Sequence, residues 1–337
     1  MSPASPTADL DTIELSPEPR GRRARAAVRR EAGQPGTWVL LVAVAVAVVV
    51  GAQTPRFFSV DNAKAILVST GTIGIAALGV TLIMVCGGLV SLAVGETAAV
   101  AGMVFLFSLD LGLVPALLLG MAVAAAVTAL QGAMVGAWQA NPIILTIAAA
   151  SILTAVGARL SATSAVQPAS DAFARLNQTP LGVPVVVFAL LGLTVVVQLL
   201  MKATRMGRLM YAVGENRAAA RAAGLPVALT VLGAFAVAGA LMAVSGAFSA
   251  ATSHTITLLG ASQLTFNATA AVLAGGTAIF GGYGSAVRTL FGALLIATIT
   301  DLLLLRGADL GMQTLVKGLL VLVVVLLGHL RGQQGRA

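Results

Sequence analysis

Apolar runs recur along almost the whole chain, broken only by short polar stretches, and several approach the roughly 20 residues that a helix needs to cross the hydrocarbon core of a bilayer. That pattern restricts the chain to a membrane. Only 9% of its residues are charged and 58% are hydrophobic, whereas soluble domains carry about a quarter charged residues. Transmembrane strands would alternate polar and apolar side chains, and neither Val39 to Val50 nor Leu315 to Leu327 does so. The spans are therefore helical, and the fold class is all-α and polytopic.

The runs predict about ten spans, at 37–52, 64–86, 88–109, 113–138, 141–162, 182–201, 228–252, 266–283, 284–305 and 312–329. An even number leaves both termini on one side. Six Lys and Arg fall in 1–36, five in 202–227 and two beyond 329, 13 on one side, against Arg56, Arg175 and Arg306 on the other. Loops on the cytoplasmic side are the ones enriched in Lys and Arg, so both termini and the 202–227 loop are expected inside. The net charge of +8 is concentrated next to the spans, which argues for topology and against nucleic acid as a partner.

Residues 1–36 combine Pro, Ser and acidic residues with Arg20, Arg22, Arg23, Arg25, Arg29 and Arg30, and predict a disordered basic cytoplasmic tail. The first apolar stretch starts near Trp38 and many follow it, so it predicts a retained span, not a cleaved signal. The transmembrane domain is expected at 37–330, followed by a short cytoplasmic tail at 331–337. Cys86 is the single cysteine, which excludes an intrachain disulfide and a cysteine metal cluster.

Two stretches are too rich in glycine for plain spans: Cys86 to Gly95 and Leu273 to Gly284. Irregular backbone at membrane depth is tolerated where protein buries it or where it lines a watery cavity, so each predicts close helix packing, pathway lining, or both.

Enzyme chemistry finds no foothold. His254 and His329 have no ligand-spaced partner, no Gly-x-x-x-x-Gly-Lys loop is present, and no cofactor is called for. The ionisable residues expected inside spans are Glu96, Arg159, Arg288 and Asp301. Arg159, Asp301 and Lys317 fit snorkelling from helix ends, while Glu96 follows a glycine break and faces either a cavity or the interface. Neutral polar residues at depth, Ser91, Thr97, Gln131, Asn141, Thr146, Asn267 and Gln313, suit an uncharged hydroxylated solute or bind helices together. Asn141 precedes Pro142 and also fits a helix cap. From this set, Ser91, Glu96, Thr97, Asn141, Thr146 and Asn267 form the candidate substrate pathway.

The 202–227 loop predicts one short helix outside the membrane. Glu215 or Asn216 caps it, Arg217 to Ala223 form it, and Gly224 and Pro226 stop it. Arg217 and Arg221 share a face, and Ala219, Ala220 and Ala223 leave a small-residue surface that fits a partner's groove; the alternative is a basic loop on anionic lipid.

This loop resembles that of the permease subunits of ribose-type ABC importers, whose pattern T-R-x-G-R-x-x-Y-A-x-G-G-N-x-x-A-A-x-x-x-G-I is matched from Thr204 through Arg205, Gly207, Arg208, Tyr211, Gly214, Asn216, Ala219 and Ala220 to Gly224. Asn267 to Ser285 is similar to the family's D-A-I-A-A-V-V-x-G-G-T-S-L-x-G-G-x-G-S, and Gln313 to Gly318 to its Q-x-x-x-K-G. The resemblance spans about 38–330. It implies a cobalamin-importer-permease-like fold in a bacterial inner membrane, and a pathway for a sugar or similar polar solute. It also implies two permease copies, homodimeric or heterodimeric, a solute-binding protein outside and an ABC nucleotide-binding subunit inside. That subunit would be gripped by Glu215, Asn216, Arg217, Ala219, Ala220, Arg221 and Gly224. The chain departs from the pattern at Ser91 and Asn267, which replace acidic residues, at Ala93, which replaces a serine, and at Arg288, which replaces a glycine. Related permeases for branched-chain amino acids, urea or nucleosides share the architecture. A proton-coupled transporter resting on Glu96 and a membrane scaffold are the readings from other classes.

Overall fold

The computed structural model describes residues 51–87, 90–162, 176–253 and 258–334. The expected basic tail, nearly all of the 37–52 span, Gly88, Leu89, Arg175, His254 and residues 335–337 lie outside them. Among the described residues the chain is all helical. The membrane helices are α1 (Val60–Val85), α2 (Val94–Phe107), α3 (Leu113–Ala137), α4 (Pro142–Ala162), α5 (Val185–Ala203), α8 (Val227–Ser253), α9 (Leu258–Ala274), α10 (Ala286–Leu305) and α11 (Leu310–Gln334). Two short helices, α6 (Arg205–Glu215) and α7 (Arg217–Ala222), fill the loop between α5 and α8.

Six of these, α1, α3, α4, α5, α8 and α10, are long and apolar enough to cross a bilayer, so the protein is a multi-pass membrane protein. α1 is the axis of the bundle. From Ile73 to Val85 every residue is buried, because α5, α8, α9 and α10 surround it. α8 runs along α3 and also packs on α1 and α2. Contact this close needs residues without side-chain bulk. A Cβ on Gly246 of α8 would fall on the Ala98 carbonyl of α2, and one on Gly292 of α10 on the Ala271 carbonyl of α9. In contrast, α3, α4 and α5 expose Leu118, Leu130, Ile144, Ile152, Val195 and Leu199 on their outward faces.

Both glycine-dense stretches correct the span list. The expected span at 88–109 is a 14-residue helix, α2; irregular backbone precedes it at 90–93, and α1 before that ends in a turn at Gly87, where φ is +73°. At 1.5 Å per residue α2 extends about 21 Å, too little for the hydrocarbon core. The expected span at 266–283 is α9, which starts eight residues earlier and ends at Ala274. Gly276, Gly281 and Gly282, at φ +78°, +92° and +75°, take the chain into a loop that lasts to Ser285. L-residues avoid that region, so a helix cannot run through it. α11 continues to Gln334, four residues into the expected tail.

The loop between α5 and α8 also differs from expectation: it holds two helices, not one. α6 starts at Thr204, whose Oγ1 accepts from the Gly207 amide (3.1 Å), and it buries Gly207, Met210 and Val213. α7 is capped by Asn216, not by Glu215: Asn216 Oδ1 accepts from the Ala219 amide (3.0 Å). Gly224, at φ +72°, ends it.

Candidate functional site: a membrane cavity and a glycine-rich junction

A cavity of about 310 Å³ opens between α1, α2, α8 and α9. Its polar wall consists of Ser69, Thr72, Ser249, Gln263 and Asn267, set among Ile73, Leu264 and the small residues of α2, α8 and α9. α2 begins level with this cavity: a Cβ on Gly95 would fall on the Ala261 carbonyl, and the Gly95 amide donates to Thr265 Oγ1 (2.8 Å). The short helix thus presents its N-terminal end beside a cavity, the arrangement in which broken helices form transport sites.

Asn267 is the pathway candidate that lines the cavity. Its Oδ1 accepts from Lys317 Nζ (2.8 Å), and Lys317 is 1% exposed. That corrects the snorkelling expectation: Lys317 lies eight residues into α11 and points into the bundle, with its ammonium 5.9 Å from the Phe266 ring. Glu96 flanks the cavity from the first turn of α2, where its Oε2 accepts from Thr265 Oγ1 (3.4 Å).

The other candidates lie outside the cavity lining. Thr97 donates to the Ala93 carbonyl (2.6 Å), and Ser91 is buried beneath the Ala93 amide. Thr146, fully buried, accepts from the Leu92 amide (3.2 Å) and so ties α4 to the irregular segment. Asn141 is exposed, and its Oδ1 caps α4 through the Ile143 amide (3.0 Å). Gln313 donates to the Ala308 carbonyl (3.1 Å), and Gln131 is buried in α3 with its amide nitrogen unpartnered. Asp301 accepts from Asn62 Nδ2 (2.8 Å), while Arg288 lies over the Tyr283 ring in the first turn of α10. Arg159 is exposed near the end of α4.

At the end of the bundle that carries α6 and α7, the two glycine-rich stretches meet. The Gly282 amide donates to the Val85 carbonyl at the end of α1 (3.0 Å), and a Cβ on Gly281 would come 2.6 Å from Gly87 Cα. α6 is pressed into the same place. Gly214 lies on the Val85 carbonyl, where a Cβ would collide, and a Cβ on Gly282 would come 3.0 Å from Glu215 Cα. Tyr211 Oη donates to the Gly284 carbonyl (2.8 Å), and burial, with a smaller effect of Tyr283, raises its hydroxyl above the ordinary tyrosine range. Gln198 Oε1 of α5 accepts from the Ser285 hydroxyl (3.2 Å) and the Ala286 amide (3.0 Å), which fixes the start of α10.

Arg217 reaches into this junction toward Gly87, and its Nε and Nη2 are buried without an acceptor. Burial lowers its pKa from the usual arginine value, Cys86 opposes that shift and Arg221 adds to it. Of the other residues expected to grip a partner, Ala220 is buried and packs α7 onto the bundle, while Glu215, Asn216, Ala219, Arg221 and Gly224 are exposed. Sequence reasoning missed Gln198 and Val85, which join distant parts of the chain and show no local signal, and gave no role to Tyr211, although it is a matched position of the loop pattern.

A multi-pass helical bundle with a polar cavity between its central helices, and with a loop domain fastened to the ends of those helices, is the build of a transport permease. Residues 62–325 match the family described as branched-chain amino acid transport system / permease component, and the chain belongs to that family. It is 31% identical over 305 residues to a probable ABC transporter permease protein of Sinorhizobium fredii, covering 90% of each chain. It is 29% identical to the ribose import permease protein of Escherichia coli, over 86% of this chain and 91% of that one. With the D-allose transport system permease protein of the same organism it shares 28% identity, over 88% and 91%. No solved structure matches this chain.

Proposed function

We propose that this chain is the membrane-spanning subunit of an ABC importer, which conducts a sugar or similar polar solute inward while a separate subunit hydrolyses ATP. One observation carries the reading: two walls of the cavity, α1 and α9, end in the junction that holds α6 and α7. From Ile73 on the cavity wall to Val85 at the junction, α1 runs unbroken for about 18 Å. α9 leads from Asn267 to the loop whose Gly282 bonds Val85. A force on α6 and α7 therefore reaches the cavity through buried, close-packed helices, which move as stiff bodies. The exposed faces of Asn216, Ala219 and Arg221 supply the docking surface for the ATPase, on the cytoplasmic side that the basic loop marks.

The hydroxyl and amide groups of the cavity wall suit a carbohydrate, as do the ribose and allose permeases among the relatives. The rest of the complex is a second permease copy, identical or related, and a solute-binding protein that delivers the solute from outside. ATP chemistry belongs to the partner chain.

The test is co-purification with ABC nucleotide-binding subunits, followed by ATP hydrolysis in nanodiscs with solute-binding proteins loaded with D-ribose or D-allose. A complex whose ATPase rate rises with loaded binding protein is the expected result. Failure to recruit any such ATPase overturns the proposal.

A further inference from the structure

The cavity wall contains a group whose orientation is set from behind. Asn267 lines the cavity, and its Oδ1 is held at 2.8 Å by the buried ammonium of Lys317. An ammonium has only donors, so the carboxamide must turn its oxygen toward Lys317 and its NH2 elsewhere. That NH2 has no acceptor among the described residues. Unlike the amide nitrogen of Gln131, it is not sealed off from the cavity beside it. No carboxylate among the described residues pairs with Lys317, whose partners are Asn267 Oδ1 and the face of the Phe266 ring. Glu96, the other ionisable group beside the cavity, lies behind the lining as Lys317 does and accepts from Thr265, so the effect of Lys317 is read as the difference its removal makes.

We propose that Lys317 is a positioning residue that makes Asn267 a hydrogen-bond donor to the solute and places a positive charge behind that wall of the cavity. The site then takes its solute through acceptor oxygens, hydroxyl, ring or carboxylate. An aspartate at 267 would do the opposite: it would pair with Lys317, cancel the charge and offer only acceptors. This inference rests on the cavity being the solute site, and it assigns the polarity of that site.

The test reads the potential directly, without the solute. Cys86 is the single cysteine, so Cys86→Ala with Ser249→Cys places one thiol on the cavity wall of the full chain in nanodiscs. The rates of its reaction with an anionic (sulfonatoethyl) and a cationic (trimethylammonioethyl) methanethiosulfonate are compared. A cavity of 310 Å³ is about 8 Å across, so the Lys317 charge acts on the reagent over about 12 Å, and the anionic-to-cationic rate ratio should exceed its uncharged value by about 3- to 100-fold, depending on the local dielectric. Lys317→Met is expected to lower the ratio threefold or more. Asn267→Asp, which keeps a bonded pair and so protects the fold, is expected to do the same, and Asn267→Ala to leave it high. A change of less than threefold in Lys317→Met overturns the proposal. Absence of sugar uptake by the assembled wild-type importer would instead overturn the transport reading, leaving the measured ratio as it stands.

Discussion

Gly214→Ala is the sharpest test of the junction. The added methyl falls on the Val85 carbonyl and, at 2.6 Å, against the Gly282 amide nitrogen. Both obstacles are backbone, so no side chain can swing aside. Restoring normal contact needs a separation of about 1 Å between α6 and the end of α1, which would stretch the 3.0 Å bond from Gly282 to Val85 beyond hydrogen-bond range. A lost bond that leaves a buried amide unpaired costs about 1–3 kcal/mol, and overpacking of a tight contact costs about 1–3 kcal/mol more. The folded bundle tolerates this because the damage is confined to one end, but the link between α6–α7 and the cavity does not. With the ATPase bound, solute moved per ATP hydrolysed in proteoliposomes should fall about 30-fold, the factor equivalent to 2 kcal/mol. Gly192→Ala, on the exposed face of α5 where a Cβ meets nothing within 4 Å, is the control and should leave transport unchanged. Transport per ATP within twofold of wild type in Gly214→Ala would refute the mechanical coupling.

Asn216→Ala removes the cap of α7 and should weaken that helix by about 1 kcal/mol, lowering the affinity for the ATPase subunit about fivefold by titration in nanodiscs. Tyr211→Phe loses the donor to Gly284, and thermal unfolding should show a loss of about 1 kcal/mol. The raised pKa of Tyr211 fixes the pH dependence of that difference. Its stabilisation is complete below the unfolded tyrosine pKa, about 10, and is lost as pH rises through the higher folded value, so wild type and Tyr211→Phe should converge only in strong alkali. Arg217→Met removes two buried donors that lack acceptors, so the Tm of the isolated chain should not fall, while coupled ATP hydrolysis should.

The membrane helices were legible because each span must satisfy its own backbone within a fixed thickness, which leaves a long apolar run in the sequence. The same physics hid their ends. Val85 and Ala274 sit inside apolar stretches; the glycines beyond them marked a break, and the positive φ angles at Gly87 and Gly276 fix where the helices stop. Asn216 was readable as a cap because capping is local. α6 was missed despite its Thr204 cap and its apolar spacing of Met206, Met210 and Val213, because Gly207 and Gly214 lower its intrinsic helix propensity. In the structure they are contact points, against the carbonyls of Met201 and Val85. Lys317 was misjudged for a different reason: its partner Asn267 is 50 residues away, and nothing near Lys317 distinguishes a snorkelling lysine from one that holds an amide across the bundle.

Glu96 separates the ATP-driven reading from a proton-coupled one. Its carboxylate occupies the first turn of α2, where a negative charge complements the helix end, and its side-chain partner, Thr265 at 3.4 Å, would be retained by a glutamine oxygen. Removing the charge therefore costs the helix about 0.3–1 kcal/mol, a change of about two- to fivefold in any step that depends on α2. A proton carrier would behave otherwise, because a glutamine cannot bind and release the proton, and transport would cease. Uptake by the assembled complex in Glu96→Gln should accordingly persist within fivefold of wild type, survive a protonophore that collapses the proton gradient, and stop when ATP is withdrawn. Abolition by the glutamine together with sensitivity to the protonophore would place the driving force at Glu96 and remove the need for an ATPase at α7.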